Sequence, residues 1–166
     1  MTILRRRSQA SRGQTLVEFA LILPLLVLIL VGIFDFGRAI YGYSTANNAA
    51  REAARVAIVD QTLSHVQDHA AQHAVALGVD PSTDVIVDYR NAEDPENVGS
   101  CDAAVGTKEI FGCVAVVRVL YTYDAATPLI GNLVGTIQIT GEARFPVAFS
   151  CVDPAPDPPI ECPVGS

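Results

Sequence analysis

The sequence predicts an α+β fold: one long N-terminal helix, transmembrane at first and continuing outside, packed on a small antiparallel β-sheet. Three observations predict it. An uncharged apolar run near the N-terminus follows a cluster of arginines, and a stripe of alanines at helical spacing follows that run. Beyond Pro81 the helical period gives way to short runs of β-branched and aromatic residues.

The apolar run comes first. Phe19 to Phe34 carries no charge, and with Leu16 to Glu18 it is about long enough to cross a bilayer as a helix. Arg5, Arg6, Arg7 and Arg12 precede it without any acidic residue, and Asp35 follows it. Positive residues stay on the cytoplasmic side, so the N-terminus is expected inside and the remaining mass outside. A cleaved secretory signal would end in a small-x-small site. The sequence DFGRAIYGY after Phe34 offers none, so the anchor is expected to be retained. Pro24 within it removes one backbone donor, which a membrane helix tolerates with a kink. Glu18 is the unusual residue. A carboxylate near the start of a membrane helix is costly unless it reaches the headgroups or finds a cation.

The helix is expected to continue outward. Ala46, Ala49, Ala50, Ala53, Ala54 and Ala57 form one stripe, with Asn47, Asn48, Arg51, Glu52 and Arg55 on the other side. Leu63, Val66, Ala70, Ala74 and Leu77 make a second stripe of the same period, and Gly78 with Asp80-Pro81 ends it. The alanines suit packing on the chain's own sheet. That reading is preferred; the other is a neighbouring helix, because small side chains let backbones approach.

Strands follow. Val85 to Tyr89 and Val114 to Tyr123 read as two of them. Ile137 to Thr140 and Arg144 to Phe149 read as a further pair, interrupted at Gly141 by a bend or bulge, with Pro146 placing the last at a sheet edge. A polar loop from Asn91 to Gly112 separates the first two strands, and Thr127-Pro-Leu-Ile-Gly131 breaks the chain before the third. The stretch from Asp153 holds five of the ten prolines, which predicts an extended tail.

Chemistry-bearing residues are sparse. Cys101, Cys113, Cys151 and Cys162 all follow the anchor, without the close spacing of a zinc site. An even number on the outer side favours two disulfides over free buried thiols. Four cysteines allow three pairings, between which the sequence does not choose. Pairing Cys101 with Cys113 and Cys151 with Cys162 closes the short loops. His65, His69 and His73, with Asp68 beside them, share a helical face that suits solvent better than a metal. Glu93, Asp94 and Glu96 sit in a proline-containing loop, as a solvated acidic turn does. Arg118, Tyr121 and Tyr123 on one strand are explained by cross-strand packing. There is no Gly-rich phosphate loop and no G-x-S-x-G motif, so neither an enzyme nor a cofactor or metal is expected. The net charge of −7, more negative still beyond the four arginines, argues against nucleic acid as a partner.

The stretch Gly13-Gln14-Thr-Leu-Val-Glu18-Phe19 resembles the processing site of type IV pilin-like proteins: a glycine, four residues, a glutamate and an aromatic. The longer run from Arg12 to Ala39, with its Phe36-Gly37-Arg38 exit, resembles the TadE-like family of pseudopilins from tight-adherence (Flp) pilus machinery. The Thr127–Gly131 turn is similar in a weaker way. The resemblance implies a pilin-like layout and cleavage after Gly13 by a prepilin peptidase. The new Gln14 ammonium would then lie one turn before Glu18, of the same chain or of a neighbour. It also implies a non-enzymatic minor pseudopilin in the cytoplasmic membrane, possessing other pilins, pseudopilins and assembly components as partners. The expected organisation is a basic leader at 1–13, a transmembrane helix at 14–35 and its extracytoplasmic continuation at 36–79. A sheet domain at 80–152 and a Pro-rich tail at 153–166 complete it. Two other readings compete: a single-pass protein whose outer sheet domain binds a ligand or partner unrelated to pili, and a tethered enzyme using the histidine face.

Overall fold

A computed structural model describes residues 10–94, 96–105, 110–127, 131–132 and 135–148. Expectations for the arginine leader before Ala10, for Phe149, for Cys151 and Cys162, and for the tail from Asp153 lie outside the described residues. The architecture is α+β: a long apolar N-terminal helix packed on a three-stranded antiparallel sheet.

Helix α1 spans Ala10–Ala57, 48 residues, a length of about 72 Å at helical rise. Its lower part stands clear of the sheet domain: every residue from Gly13 to Leu30 is exposed. The helix is long and apolar enough there to cross a membrane. Pro24 sits in this part without ending the helix. The upper part is different. Ala46, Ala49, Ala50, Ala53, Ala54 and Ala57 are all 0% exposed, and they belong to a core that also holds Val85, Ala115, Val117, Val119 and Ala143. The alanine stripe therefore packs on the chain's own strands.

The continuation to residue 79 is not a single helix. α1 stops at Ala57, and helix α2, Leu63–His73, starts after a turn. The turn is held by its own side chains. Gln61 Nε2 donates to the Ala57 carbonyl at 3.1 Å, satisfying an acceptor at the end of α1. Asp60 serves the start of α2: Oδ1 accepts from the Thr62 N–H at 2.9 Å, and Oδ2 lies 2.7 Å from His65 Nδ1. The second apolar stripe thus folds back beside α1 instead of extending it. Val66, Ala70 and Ala74 are buried against the alanines, whereas Leu63, at the first turn, is 53% exposed. A 3₁₀ turn, Val75–Leu77, follows and ends at Gly78, whose φ of 66° is left-handed.

The sheet is a meander of β1 (Val85–Asn91), β2 (Cys113–Tyr123) and β3 (Ile137–Pro146). α1 lies across β2 and β3, and α2 lies by β1, both on one face. Among the described residues the largest fully buried side chain is Ile110, and the helix–sheet contact is mostly valine against alanine. Small residues bring the helix close to the strands.

Gly141 shows how close. The sequence suggests a bend or bulge there, but β3 runs through Gly141 in unbroken register with β2, opposite Val119. The glycine is needed for a different reason. A Cβ at this position would collide with the α1 backbone at Ala46 and Asn47. Pro146 ends β3 on the sheet edge, where its missing donor costs no ladder bond.

The loop after β1 covers the opposite edge. The Cys101 N–H donates to the Tyr89 carbonyl at 3.0 Å, the Asn91 N–H to Ser100 Oγ at 2.8 Å, and the Tyr89 N–H to Asp102 Oδ1 at 3.1 Å. A Cys101–Cys113 disulfide, with Cα atoms 6.2 Å apart, fastens this loop to the start of β2. Edge strands left bare invite pairing with other chains, and this loop occupies much of the β1 edge.

The close approach gives a graded prediction. Gly141→Ala is expected to lower the thermal midpoint of the detergent-solubilised protein most, because backbone cannot yield. Ala50→Leu is expected to cost about 1–3 kcal/mol by overpacking. Gly42→Ala should be mildest, since its obstacle is the Tyr121 ring, with Cε1 at 2.7 Å, which can rotate aside. Equal midpoints for Gly141→Ala and wild type would refute the backbone contact.

The turn predicts a pH dependence. Burial opposes the Asp60 charge, but the hydrogen bonds from His65 and Thr62 outweigh it and hold the carboxyl below its usual range. A carboxyl depressed by folding stabilises the protein above its unfolded pKa of about 3.9. That contribution is lost as pH falls through the folded value. Asp60→Asn should therefore melt lower than wild type near neutrality, and the gap should close below about pH 4. A gap constant across melts at descending pH would assign the loss to shape and not to charge.

Candidate functional site at the exit of the long helix

Two regions of α1 concern function: its head and the point where it meets the sheet domain. The meeting point is built around Asp35. The sequence shows Asp35 only as the residue that ends an uncharged run. In the structure it is buried, 4% exposed, and holds a segment about 90 positions further on. Oδ1 accepts from the Ala126 N–H at 2.9 Å. Oδ2 accepts from the Thr127 N–H at 3.2 Å and from Thr127 Oγ1 at 2.5 Å. The Asp35 carbonyl accepts from the Tyr123 hydroxyl at 2.7 Å.

Charge completes the clamp. Arg38, one turn along α1, has Nη1 3.9 Å from Asp35 Oδ1 and its guanidinium carbon 5.7 Å from the Tyr123 ring centre. A carboxylate at a membrane boundary is costly unless satisfied, and here donors from backbone, hydroxyl and guanidinium converge on it. Ala126 and Thr127 are thereby fixed to the helix exit; the rest of the expected Thr127–Gly131 break, at 128–130, lies outside the described residues. The adjacency of Asp35 and Arg38 in sequence is the one signal that could have suggested a buried, paired carboxylate. Its partners in β2 and beyond carry no such mark.

The head of α1 presents Gly13, Gln14, Glu18 and Phe19 on its first exposed turns. Gln14 and Glu18 are four apart and so lie on one face. A Cβ at Gly13 would meet nothing within 4 Å. Nothing in the fold therefore demands glycine at this position.

Two further clusters lie elsewhere in the fold. On the sheet face away from α1, Asp88 Oδ2 takes Arg90 Nη2 at 3.0 Å and Arg118 Nη2 at 2.5 Å, with Arg144 paired to Glu142 at 2.6 Å. Arg118 therefore serves an ion-pair network on the face opposite Tyr123. The histidines do not converge. His65 belongs to Asp60, while His69 and His73 lie with ring centres 4.8 Å apart and planes tilted by 46°. Among the described residues no group of three or more His, Cys, Asp or Glu is arranged to hold a metal ion.

An exposed apolar helix fastened at its exit to an α+β unit describes a single-pass membrane protein of α+β fold. A family model described as TadE-like protein matches residues 13–55. The match runs from Gly13 through the exit clamp into the alanine stripe, about a quarter of the chain. This family suggests involvement in Tad (Flp) pilus assembly and is generally structural rather than enzymatic. No curated protein and no solved structure matches the chain.

The clamp gives its own prediction. Asp35→Asn keeps the shape but turns an NH₂ group toward an N–H donor. Amide hydrogen exchange at Ala126 and Thr127 should accelerate, while exchange in the β2 segment near Cys113 should hold. Tyr123→Phe should produce a smaller effect in the same place. Unchanged exchange at both amides in Asp35→Asn would refute the clamp.

Proposed function

We propose that the chain is a minor pseudopilin of a tight-adherence (Flp-type) pilus assembly system, a non-enzymatic subunit anchored in the cytoplasmic membrane. The observation that carries this reading is the Gly13-x-x-x-x-Glu18-Phe19 pattern at the head of an exposed helix, inside the TadE-like match. The arginines before it set the N-terminus inside, where a prepilin peptidase cuts after Gly13. The Gln14 ammonium then pairs with Glu18 of its own or a neighbouring helix, neutralising a charge that the membrane disfavours. Pilins, other pseudopilins and assembly components are the partners, and the outer domain is presented outside the membrane.

The rival reading is a single-pass protein that binds an unrelated partner through its sheet. It draws on the Asp88, Arg90 and Arg118 network on the outer sheet face. Processing separates the two.

Intact mass of the protein from native membranes is expected to correspond to a chain beginning at Gln14. Gly13→Ala should keep the leader attached, and because the space around Gly13 is open, this reports peptidase recognition and not a folding defect. Glu18→Ala should insert normally, being more apolar, yet impair piliation. Recovery of only the uncut chain from cells with an active prepilin peptidase would overturn the processing. Wild-type piliation by Glu18→Ala would overturn its role in assembly.

A further inference from the structure

The region beside the exit clamp is more apolar than an aqueous surface requires. Asp35 holds Ala126 and Thr127 at the top of the apolar run, so the connection after β2 starts at the height where the helix leaves the membrane. Between helix and connection lies an open apolar cavity of about 260 Å³, lined in part by Gly32, Phe36, Ala125, Gly135 and Ile137. Asp35 and Tyr123 of the clamp also line it, and Gly32 belongs to the membrane run itself, so the cavity extends from the clamp down to that run. Phe36 is 67% exposed and Ile137 is 41% exposed. The exposed Phe34, Tyr41 and Tyr43 flank the same stretch of α1, and aromatic residues gather at membrane interfaces.

The sequence of the connection agrees. From Ala125 to Thr136, the last residue before β3, none is charged, in a chain that is 17% charged. A loop that met only water would have no reason to avoid charge over such a length.

We propose that Ala125 and Gly135, with Ile137 at the start of β3, make a second membrane contact beside Phe36 in the interfacial layer, with a lipid acyl chain filling the cavity. Lipid is the occupant because the cavity is continuous with the exposed apolar surface of α1, and because Asp35 fixes its height. Arg38 stands beside it, where a guanidinium reaches the phosphate layer while its stem lies along apolar surface. The outer domain thus lies against the bilayer on this side. The proposal rests on reading residues 14–35 as the membrane span.

The chain has no tryptophan, so a single introduced tryptophan is an unambiguous reporter. Full-length Ile137→Trp is reconstituted in phosphatidylcholine–phosphatidylglycerol vesicles with and without lipids brominated on the acyl chain near the glycerol. Leu26→Trp reports the anchor. Phe111→Trp reports the far end of the domain, about 33 Å higher by the rise of α1 from Asp35 to Ala57. Ile137→Trp and Leu26→Trp are expected to lose fluorescence with brominated lipid and to emit further to the blue, while Phe111→Trp does neither. Thr136→Trp, at an exposed position, repeats the measurement should the Ile137 substitution disturb the clamp. Quenching of Leu26→Trp without quenching at 136 or 137 overturns the contact and leaves the anchor standing. Absence of quenching at all positions overturns both. Quenching of Phe111→Trp equal to that at Ile137 overturns the contact as well, since height would then be irrelevant.

Discussion

The close approach of α1 to the sheet governs the rest of this structure. Alanines line one side of that contact, and valines, Ala115, Ala143 and Gly141 line the other. Backbone nearly meets backbone at Gly141. Such packing gives little apolar area per residue, so it depends on fit more than on bulk. It also explains where the two helices go. α2 can share the same face of a narrow sheet because α1 carries no large side chain toward it, and Val66 and Ala70 fill the space beside the alanines.

Fastenings at both ends hold that contact in register. At the membrane end a single carboxylate collects three donors from a distant turn, and the backbone carbonyl of the same residue takes a tyrosine hydroxyl. At the far end the Asp60–Gln61 turn reverses the chain, and the Ala148 N–H donates to the Ile58 carbonyl at 2.9 Å, tying the segment after β3 to the top of α1. The disulfide closes the loop between β1 and β2 at that same far end. Hydrogen bonds inside a partly dry junction are costly to leave unmade, so each end has a definite geometry.

Much of the fold was legible because its signals are local. The uncharged run, the alanine period and the β-branched strands each announce themselves within a few residues. The reversal at Ile58–Thr62 was harder. Two stripes of the same period read as one helix, and the only clue was Asp60 and Thr62 standing just before Leu63, residue types that start helices. Gly141 was visible as an anomaly within a strand, but a bulge and a close backbone approach leave the same mark in sequence. The clamp was least legible. Asp35 and its partners lie about 90 residues apart, and nothing in the turn at Ala126 and Thr127 indicates which carboxylate it will meet. The head of the helix was the opposite case, since Gly13, Glu18 and Phe19 form a spacing that needs no tertiary contact to be read.

The rigidity of α1 has a mechanical consequence. The same unbroken helix is both the candidate membrane span and the spine of the sheet domain, and the clamp at Asp35 removes the swivel that a linker would provide. Helix tilt in a bilayer averages about 20°, so over the spine of about 33 Å the far tip swings sideways by about 11 Å. Anything that changes the lean of the helix, a thinner membrane or a neighbour pressing on its buried half, is amplified at the disulfide-closed tip. With no swivel between them, a tilt of the apolar run and a tilt of the sheet domain are one motion.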